Sequence, residues 1–330
     1  VKGVAPIRGD ETHLSDALDD HRANRSVDET SVGVEYRDQA PPSGIVDCMD
    51  EFSPHHFLPQ ATAAAHTAVF SGSGWFDGAY PNAAIKLFLN LDIPYTRLIL
   101  GPWKHGGKWH ITPGQSGPVK DDLAGIASAY LDHFLKGYDT PAAHPPKVEF
   151  YTMQAARWQQ SETWPPEDVV EAPLYLHQTG RLENECNAVR HQVELRHRRD
   201  TGTGDKTRWR GLMNLVPNHI YYPDRAQRSQ QLLHFDSTPL KSALEVTGHP
   251  RLELWVSTQE EDGEFFVYLD EVRPNGEVFY VTEGMLRAQH REVAAERAEY
   301  RSGGTPRTFR TGDVTPLETK APTLVKIDLL

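Results

Sequence analysis

The sequence predicts an α/β part followed by an all-β part, and three observations carry this prediction. Runs suited to strands and helices alternate between about residues 66 and 137. A proline-rich segment, 141-PAAHPP-146, follows. Beyond it helical patterns all but vanish, and short runs of branched and aromatic residues recur between turn signals. A chain of 330 residues can bury two hydrophobic cores.

The first 60 residues predict little regular structure. The run 14-LSDALDDHRANRSVDE-29 has a thin apolar face among many charges, which is typical of a mostly exposed helix. The stretch 36-YRDQAPPSGIVDCMDEF-52 predicts an irregular connection. Ser53 and Pro54 then predict a helix start, because serine caps helices and proline is tolerated at the first helical position.

Four runs predict the α/β part. They are the strand 67-TAVF-70, the helix 82-NAAIKLFLNL-91, the strand 97-RLILG-101 and the helix 121-DDLAGIASAYLDHFLKG-137. The last run has apolar residues at a period of 3.6, and Gly137 predicts its end. Strands separated by helices favour a parallel sheet with crossover connections.

Seven short runs predict a β-sandwich in the second part. They are 148-VEFYT-152, 174-LYLH-177, 192-QVELRH-197, 243-ALEVTG-248, 251-RLELWVST-258, 264-EFFVYLDEV-272 and 277-EVFYVTEG-284. Pro274-Asn275-Gly276 predicts a hairpin between the last two, since Asn-Gly tolerates the positive φ angles of a tight turn. Residues 181–230 show no motif.

An acid and a histidine follow the two strands of the α/β part, each in a glycine-flanked turn. Asp77 lies in 74-GWFDGAY-80 and His105 lies in 101-GPWKHGG-107. Both should lie at the carboxyl edge of a parallel sheet, where ligands bind in open α/β folds. An acid that orients an imidazole and a histidine that moves a proton are two members of a nucleophile–His–acid triad. On strand periodicity alone, an exposed aspartate and a surface histidine are the commoner explanation.

Composition excludes two classes of partner. The net charge is −12, and the clustered lysines and arginines of a nucleic-acid-binding surface are missing. No run approaches the roughly 18 apolar residues of a membrane span. We therefore expect neither nucleic acid nor membrane as partner. The cytoplasm is the favoured compartment, although the chain begins with Val1 and a preceding signal would not be seen.

Neither a metal nor a cofactor is expected. Cys48 and Cys186 match no metal-ligand spacing and predict two free thiols. The neighbours His55 and His56 lack the spacing of a zinc site, and so does the pair formed by His105 and His110. Lys104, beside the histidine, is expected to be a solvated lysine.

Several segments between about residue 60 and the end resemble one enzyme family. These are 74-GWFDGAY-80, 83-AAIKLFLNL-91, 101-GPWKHGG-107, 131-LDHFLKG-137, 148-VEFYTMQAARWQQSETWPP-166 and 281-VTEGMLRAQHR-291. They resemble the cocaine-esterase and X-Pro dipeptidyl-peptidase family of α/β-hydrolases, which are serine acyl hydrolases with a C-terminal jelly-roll domain. The resemblance implies that Asp77 is the acid of a Ser-Asp-His triad and that His105 is its general base.

The same resemblance implies a nucleophilic serine on a G-x-S-x-G turn that precedes the acid in the chain. That motif does not occur in these 330 residues. The serine and the oxyanion donors are therefore expected before Val1, and this chain alone is expected to be inactive. Ser71 and Ser73 are interpreted as loop residues of the acid's turn. The last run, 323-TLVKIDLL-330, predicts a strand in mid-sandwich, so a C-terminal truncation is also expected.

The resemblance divides the chain into three parts. Residues 1–60 are interpreted as a remnant of the family's helical cap with its connection, 61–140 as the C-terminal part of the hydrolase sheet, and 141–330 as a jelly-roll β-sandwich. A homo-oligomer is a further expectation, because a truncated sheet has an exposed edge strand.

The predicted substrate is a small-molecule ester or amide of an apolar acid, aromatic acids included. The branch of the family that acts on α-amino acid esters has acidic residues after the triad acid, whereas this chain has Gly78, Ala79 and Tyr80 there. The resemblance therefore disfavours a substrate ammonium. Four aromatic residues could line an acyl pocket, although core packing would equally account for them: Trp75, Phe76, Tyr80 and Trp103. The alternative function is a non-catalytic protein that binds carbohydrate or a partner through the jelly-roll.

Overall fold

The computed structural model describes most of the chain. The described residues are 11–24, 32–41, 44, 47–64, 66–108, 110–111, 123–139, 146–186, 189–197, 201–202, 208–211, 224–294 and 299–330. Three parts of the sequence predictions lie outside them: residues 25–29 and 121–122 of the two predicted helices, and 141–145 of the proline-rich segment. Among the helices of the described residues, none has the length and apolar character that a bilayer crossing requires.

The chain forms two compact units, of which the first comprises Val1–Phe57 and Thr308–Val314. Its regular elements are helix α1 (Glu11–Ala23) and the 3₁₀ turns Met49–Phe52 and Pro54–Phe57. Asp50 is buried and forms ion pairs with Arg37 at 2.6 Å and with Arg310 at 2.8 Å. This carboxylate therefore links the segment Thr308–Val314, which contains Arg310, to the N-terminal part of the unit.

The second unit comprises Leu58–Arg307 and Thr315–Leu330. Its helices are α2 (Leu58–Ala63), α3 (Tyr80–Asn90), α4 (Leu123–Lys136), α5 (Arg208–Gly211) and α6 (Ala226–Ser229). Its strands are β1 (Val69–Phe76), β2 (Thr96–Lys104), β3 (Val148–Thr152), β4 (Arg157–Ser161), β5 (Tyr175–Leu176), β6 (Arg181–Glu183), β7 (Asp236–Ser237), β8 (Arg251–Val256), β9 (Glu264–Val272), β10 (Val278–Arg287) and β11 (Thr323–Asp328).

A four-stranded sheet in the order β1-β2-β3-β4 positions the candidate site. β1 and β2 are parallel and are connected through α3, as the sequence predicts. All nine residues of β2 are buried, which is typical of a central parallel strand covered on both faces. Leu98 and Leu100 pack in one cluster with Ala84 and Ile85 of α3. The apolar face of that helix therefore covers the sheet.

β3 differs from the prediction that assigns it to the β-sandwich. It runs parallel to β2, with Leu98 opposite Val148 and Leu100 opposite Phe150. Val148 and Phe150 join the core cluster of the α/β sheet. On the other face, the carboxylate of Glu149 forms an ion pair with Arg97. β3 therefore pairs with β2, shares its apolar core on one face and forms an ion pair with it on the other. Burial in this core places β3 in the α/β sheet and not in the β-sandwich.

The remaining strands form three small sheets, ordered β10-β9, β11-β8 and β5-β6-β7. β9 and β10 form the predicted hairpin, in which Gly276 has a φ of 87° and Arg273 N–H donates to Glu277 O at 2.8 Å. A second core cluster contains Leu286, Val325 and Ile327 with two further buried residues. The strand-rich character is as predicted; a jelly-roll topology and the three domain boundaries remain predictions.

Two predicted strands are wrong, and three observed strands were not predicted. Residues 192–197 and 243–248 form no strand although hydrophobic and polar residues alternate in them. β4, β6 and β7 lack the branched and aromatic runs on which the sequence prediction depends. β4, RWQQS, is strand because it pairs with β3 along all five residues. Its pairing partner, rather than its composition, therefore decides its structure.

We expect Gly74→Ala to destabilise the second unit. Gly74 lies opposite Gly101 in the pairing of β1 with β2, and a Cβ atom at position 74 would lie 2.0 Å from the Trp103 carbonyl oxygen. Overpacking of this kind costs about 1–3 kcal/mol of unfolding free energy. Denaturant unfolding measures the loss. Gly263→Ala is the control, because nothing lies within 4 Å of a Cβ there; equal stability of the two variants would contradict the steric argument.

Candidate active site

Asp77 and His105 follow neighbouring parallel strands, as the sequence predicts. Asp77 comes directly after β1 and His105 directly after β2. The Asp77 N–H donates to the Gly74 carbonyl at 3.1 Å, which turns the chain out of the strand. Gly106 and Gly107 have φ angles of 89° and 65°, a conformation that other residues rarely adopt. These turns hold both side chains at the carboxyl edge of the sheet.

The acid and the histidine are hydrogen-bonded. His105 Nδ1 lies 2.8 Å from Asp77 Oδ1, which confirms the predicted contact. The Asp77 side chain is 12% exposed and that of His105 is 36% exposed. Burial raises the pKa of Asp77, although the hydrogen bond and the charge of His105 act in the opposite direction. The hydrogen bond from His105 therefore offsets part of the cost of burying this carboxylate.

One face of His105 meets the ring of Tyr80. The two ring centroids are 5.7 Å apart with an interplanar angle of 35°. Tyr80 begins helix α3 and is 52% exposed, so it forms an open aromatic wall beside the histidine. Within the part of the chain that the structure describes, no serine hydroxyl or cysteine thiol is hydrogen-bonded to His105.

Ser71 and Ser73 are buried strand residues, which corrects their interpretation as loop residues. Both lie inside β1. The Ser71 hydroxyl donates to the Ala84 carbonyl at 3.0 Å, and the Ser73 hydroxyl donates to the Gly74 carbonyl at 3.4 Å. Hydroxyls engaged with backbone carbonyls inside a strand are poorly placed to attack a substrate.

The other three aromatic residues of the predicted acyl pocket are more enclosed than Tyr80. Trp103 is fully buried, with its ring centroid 5.6 Å from that of Trp158. Phe76 is 7% exposed and belongs to a small core cluster. Trp75 is partly buried, and its indole N–H donates to the Tyr151 carbonyl at 2.8 Å. Their assignment to substrate binding remains a prediction.

Lys104 precedes the histidine directly and corrects an expectation, and His110 follows it in the chain as a partly buried residue. Lys104 is 3% exposed and is therefore not the solvated lysine that the sequence predicts. Burial lowers the pKa of its ammonium group. His110 lies edge-on to the ring of Tyr151, and burial lowers the pKa of its imidazole.

Sequence analysis missed Arg208, which contacts the acid-bearing strand. It lies in the region 181–230, for which no motif was found, and it is 4% exposed. Its guanidinium donates a hydrogen bond to the Trp75 carbonyl, two residues before Asp77. Nothing in the local sequence marks this arginine, because its partner is about 130 positions away.

Solved structures with similar folds define the fold class of the chain. The chain superimposes on an aminopeptidase from a marine-sediment thaumarchaeon with a TM-score of 0.61 and 21% identity, covering 82% of this chain and 46% of the other. A CocE/NonD family hydrolase from Staphylococcus aureus gives a TM-score of 0.53 and 14% identity, covering 80% and 43%. These similarities show a fold of the α/β-hydrolase type.

Family models and curated relatives then identify the family within this fold class. Residues 141–330 match the model described as the X-Pro dipeptidyl-peptidase C-terminal non-catalytic domain, and residues 13–107 match the X-Pro dipeptidyl-peptidase (S15 family) model. The chain belongs to the X-Pro dipeptidyl-peptidase family.

Among curated proteins, a candidate serine esterase of Mycobacterium bovis is 36% identical, with 100% of this chain and 55% of that protein aligned. The cocaine esterase of Rhodococcus is 25% identical over 71% of this chain and 42% of that protein. The chain spans about half the length of the curated relatives it matches.

Proposed function

We propose that this chain is part of a serine acyl hydrolase that cleaves ester or peptide bonds, with Asp77 as the orienting acid and His105 as the general base. The 2.8 Å hydrogen bond between the two side chains, at the edge of a parallel sheet, carries this proposal. The membership of the family and the similarity to serine esterases support it. They do not favour the alternative of a non-catalytic binding protein.

The proposed mechanism gives each nitrogen of the imidazole a role. Nδ1 carries the proton that it donates to Asp77 Oδ1, so Nε2 has a free lone pair. Nε2 takes the proton of an attacking serine hydroxyl and later gives it to the leaving alcohol or amine. The ionised Asp77 stabilises the positive imidazolium that exists between these two steps. The bond between Nδ1 and Asp77 thus fixes the tautomer, and Nε2 is available for proton transfer.

The nucleophile and the oxyanion donors belong, in this proposal, to sequence that precedes Val1. The family resemblance calls for the order Ser, acid, His along the chain. The G-x-S-x-G motif is missing from these 330 residues, and Ser71 and Ser73 donate to backbone carbonyls. A histidine–acid pair without its nucleophile retains little catalytic power, because triad members act as a unit.

The proposed substrate is a small-molecule ester or amide of an apolar acid. Tyr80 supports this class, because its exposed ring lies against the catalytic histidine and offers an apolar surface. Gly78, Ala79 and Tyr80 carry no negative charge that could hold a substrate ammonium. The net charge of −12 likewise disfavours a nucleic-acid substrate.

An ester-hydrolysis assay tests the proposal on two proteins. We expect the full-length gene product to hydrolyse an activated aryl ester, and we expect residues 1–330 alone to show no turnover above background. Ser73→Ala in the full-length product is the matched variant and should retain activity within about twofold, since its hydroxyl only donates to a neighbouring carbonyl.

Two results would contradict parts of this proposal. Equal turnover by residues 1–330 and by the full-length product would show that the nucleophile lies within these residues. A folded full-length product without activity on aryl esters or on X-Pro peptides would contradict the hydrolase assignment itself.

A further inference from the structure

The turn that carries His105 is held at its outgoing end by helix α4. The Gly107 N–H donates to the Lys104 carbonyl at 3.1 Å, which closes a four-residue turn around the histidine. The Gly107 carbonyl accepts from the N–H of Leu123, the first residue of α4, at 3.1 Å. The first N–H groups of a helix have no partner within the helix, so α4 must satisfy this donor elsewhere. The start of the helix is therefore fixed to the histidine turn.

The Leu123 side chain connects this turn to the acid-bearing strand. A Cβ atom at Gly107 would clash with Leu123 Cβ, and one at Gly72, in β1, would lie 2.9 Å from Leu123 Cδ1. The leucine thus lies against the backbone at both positions, where a glycine leaves room for it. Strand β1 ends at Phe76, directly before Asp77. One side chain therefore contacts both the strand that leads to the acid and the turn that carries the histidine.

The acid and the histidine need such support because they lie in separate turns. Their hydrogen bond is 2.8 Å long, and the His105 side chain is 36% exposed, so burial alone does not fix the position of the ring. A displacement of about 1 Å caused by a change far from the chemistry can cost about 100-fold in rate. A contact that limits movement of the histidine turn relative to β1 would therefore act on catalysis without touching the substrate.

We propose that Leu123 is a positioning residue, which holds the His105 turn at the distance from β1 that the bond to Asp77 requires. This inference rests on the proposed function of Asp77 and His105. Leu123 acts through the backbone of Gly72 and Gly107, and not through contact with the substrate. The role requires an apolar side chain of sufficient volume at position 123, and not a particular chemical group.

Steady-state kinetics of the full-length gene product on an activated aryl ester tests this role. Leu123→Ala removes the Cδ1 atom that lies against Gly72 and keeps the backbone bond to Gly107. We expect kcat to fall about 10- to 100-fold with KM within about twofold of wild type, because the base is displaced while the substrate contacts stay. Leu123→Met keeps the apolar volume and should restore kcat to within about threefold of wild type.

Tyr130→Phe is the matched control on the same helix. Tyr130 is 2% exposed, and its hydroxyl donates to the Tyr95 carbonyl at 2.6 Å. It lies about two helical turns, or about 10 Å, beyond Leu123, so its loss weakens the packing of α4 away from the histidine. We expect kcat within about twofold of wild type. An equal loss of kcat in Tyr130→Phe and Leu123→Ala would indicate a general effect of helix stability and would overturn the inference.

Hydrogen exchange of the same proteins gives a readout that needs no turnover. Peptides that contain Gly107 should exchange at least about tenfold faster in Leu123→Ala than in wild type, and at the wild-type rate in Tyr130→Phe. If the wild-type full-length product hydrolyses no ester, the proposed function fails, and the exchange rates still decide whether Leu123 holds the turn.

Two results with a folded Leu123→Ala variant would overturn the inference: unchanged exchange at the turn, or a kcat within about twofold of wild type. A loss of kcat in Leu123→Met as large as that in Leu123→Ala would also contradict it, since the volume is then not the cause. Should Leu123→Ala not fold, Leu123→Val takes its place, with a smaller loss of kcat and a smaller increase in exchange expected in the same directions.

Discussion

His105→Ala is expected to abolish ester hydrolysis by the full-length gene product. In the proposed mechanism the imidazole takes the proton of the nucleophile, and Asp77 occupies its Nδ1. Removal of the base from a triad lowers kcat by about 10⁶-fold, because the remaining members cannot activate the serine on their own. Steady-state kinetics with an activated aryl ester measures the loss.

The matched control for this variant is His66→Ala. His66 is exposed and lies before β1, away from the two turns. We expect its removal to change kcat by less than about twofold, as is usual for a surface substitution. Retention of more than about one hundredth of the activity in His105→Ala would remove this histidine from the mechanism, provided that circular dichroism shows a folded protein.

Asp77→Asn is expected to lower kcat by about 10⁴-fold with little change in KM. An asparagine keeps the size of the side chain, but its amide NH₂ can donate to Nδ1 and favour the tautomer in which Nε2 carries the proton. That tautomer cannot accept the proton of the serine. The substitution replaces the 2.8 Å hydrogen bond in which Asp77 Oδ1 accepts from His105 Nδ1.

Asp92→Asn serves as the control, because this aspartate is exposed and lies outside the two turns. The Asp92 variant should keep wild-type kinetics. If Asp77→Asn retained activity within about tenfold, the carboxylate would have no role in orienting the base. An asparagine could also orient the imidazole through its amide oxygen, but the loss of the carboxylate charge would then shift the pH profile of kcat/KM. An unchanged profile excludes this explanation of retained activity.

Local rules place the acid and the histidine at one edge of the sheet, and the family resemblance implies that they act as a pair. Each side chain ends a strand, the intervening helix implies a parallel pair, and parallel strands end at one edge. The glycine-rich turns after both strands are likewise visible in the sequence, since glycine adopts the positive φ angles found there more readily than other residues. These features need no knowledge of distant residues.

Burial and distant pairing are the features that the sequence does not reveal. Lys104 is expected in solvent, but it belongs to a strand that is buried along its whole length. Ser71 and Ser73 precede the acid closely enough to suggest a loop, yet β1 continues through them to Phe76. Arg208 reaches the acid-bearing strand from a segment without any motif. In each case the deciding neighbour lies far away along the chain.

The pairing of β3 with β2 has a consequence for how the molecule unfolds. The family model for the C-terminal domain begins at residue 141, yet the strand that follows this boundary is hydrogen-bonded to the histidine-bearing strand. Val148 and Phe150 also complete the apolar cluster that covers Leu98 and Leu100. Denaturation that frees β3 exposes β2 at the same time. A backbone cut between Gly137 and Val148 would thus divide one cooperative folding unit, and neither product should melt as an independent domain.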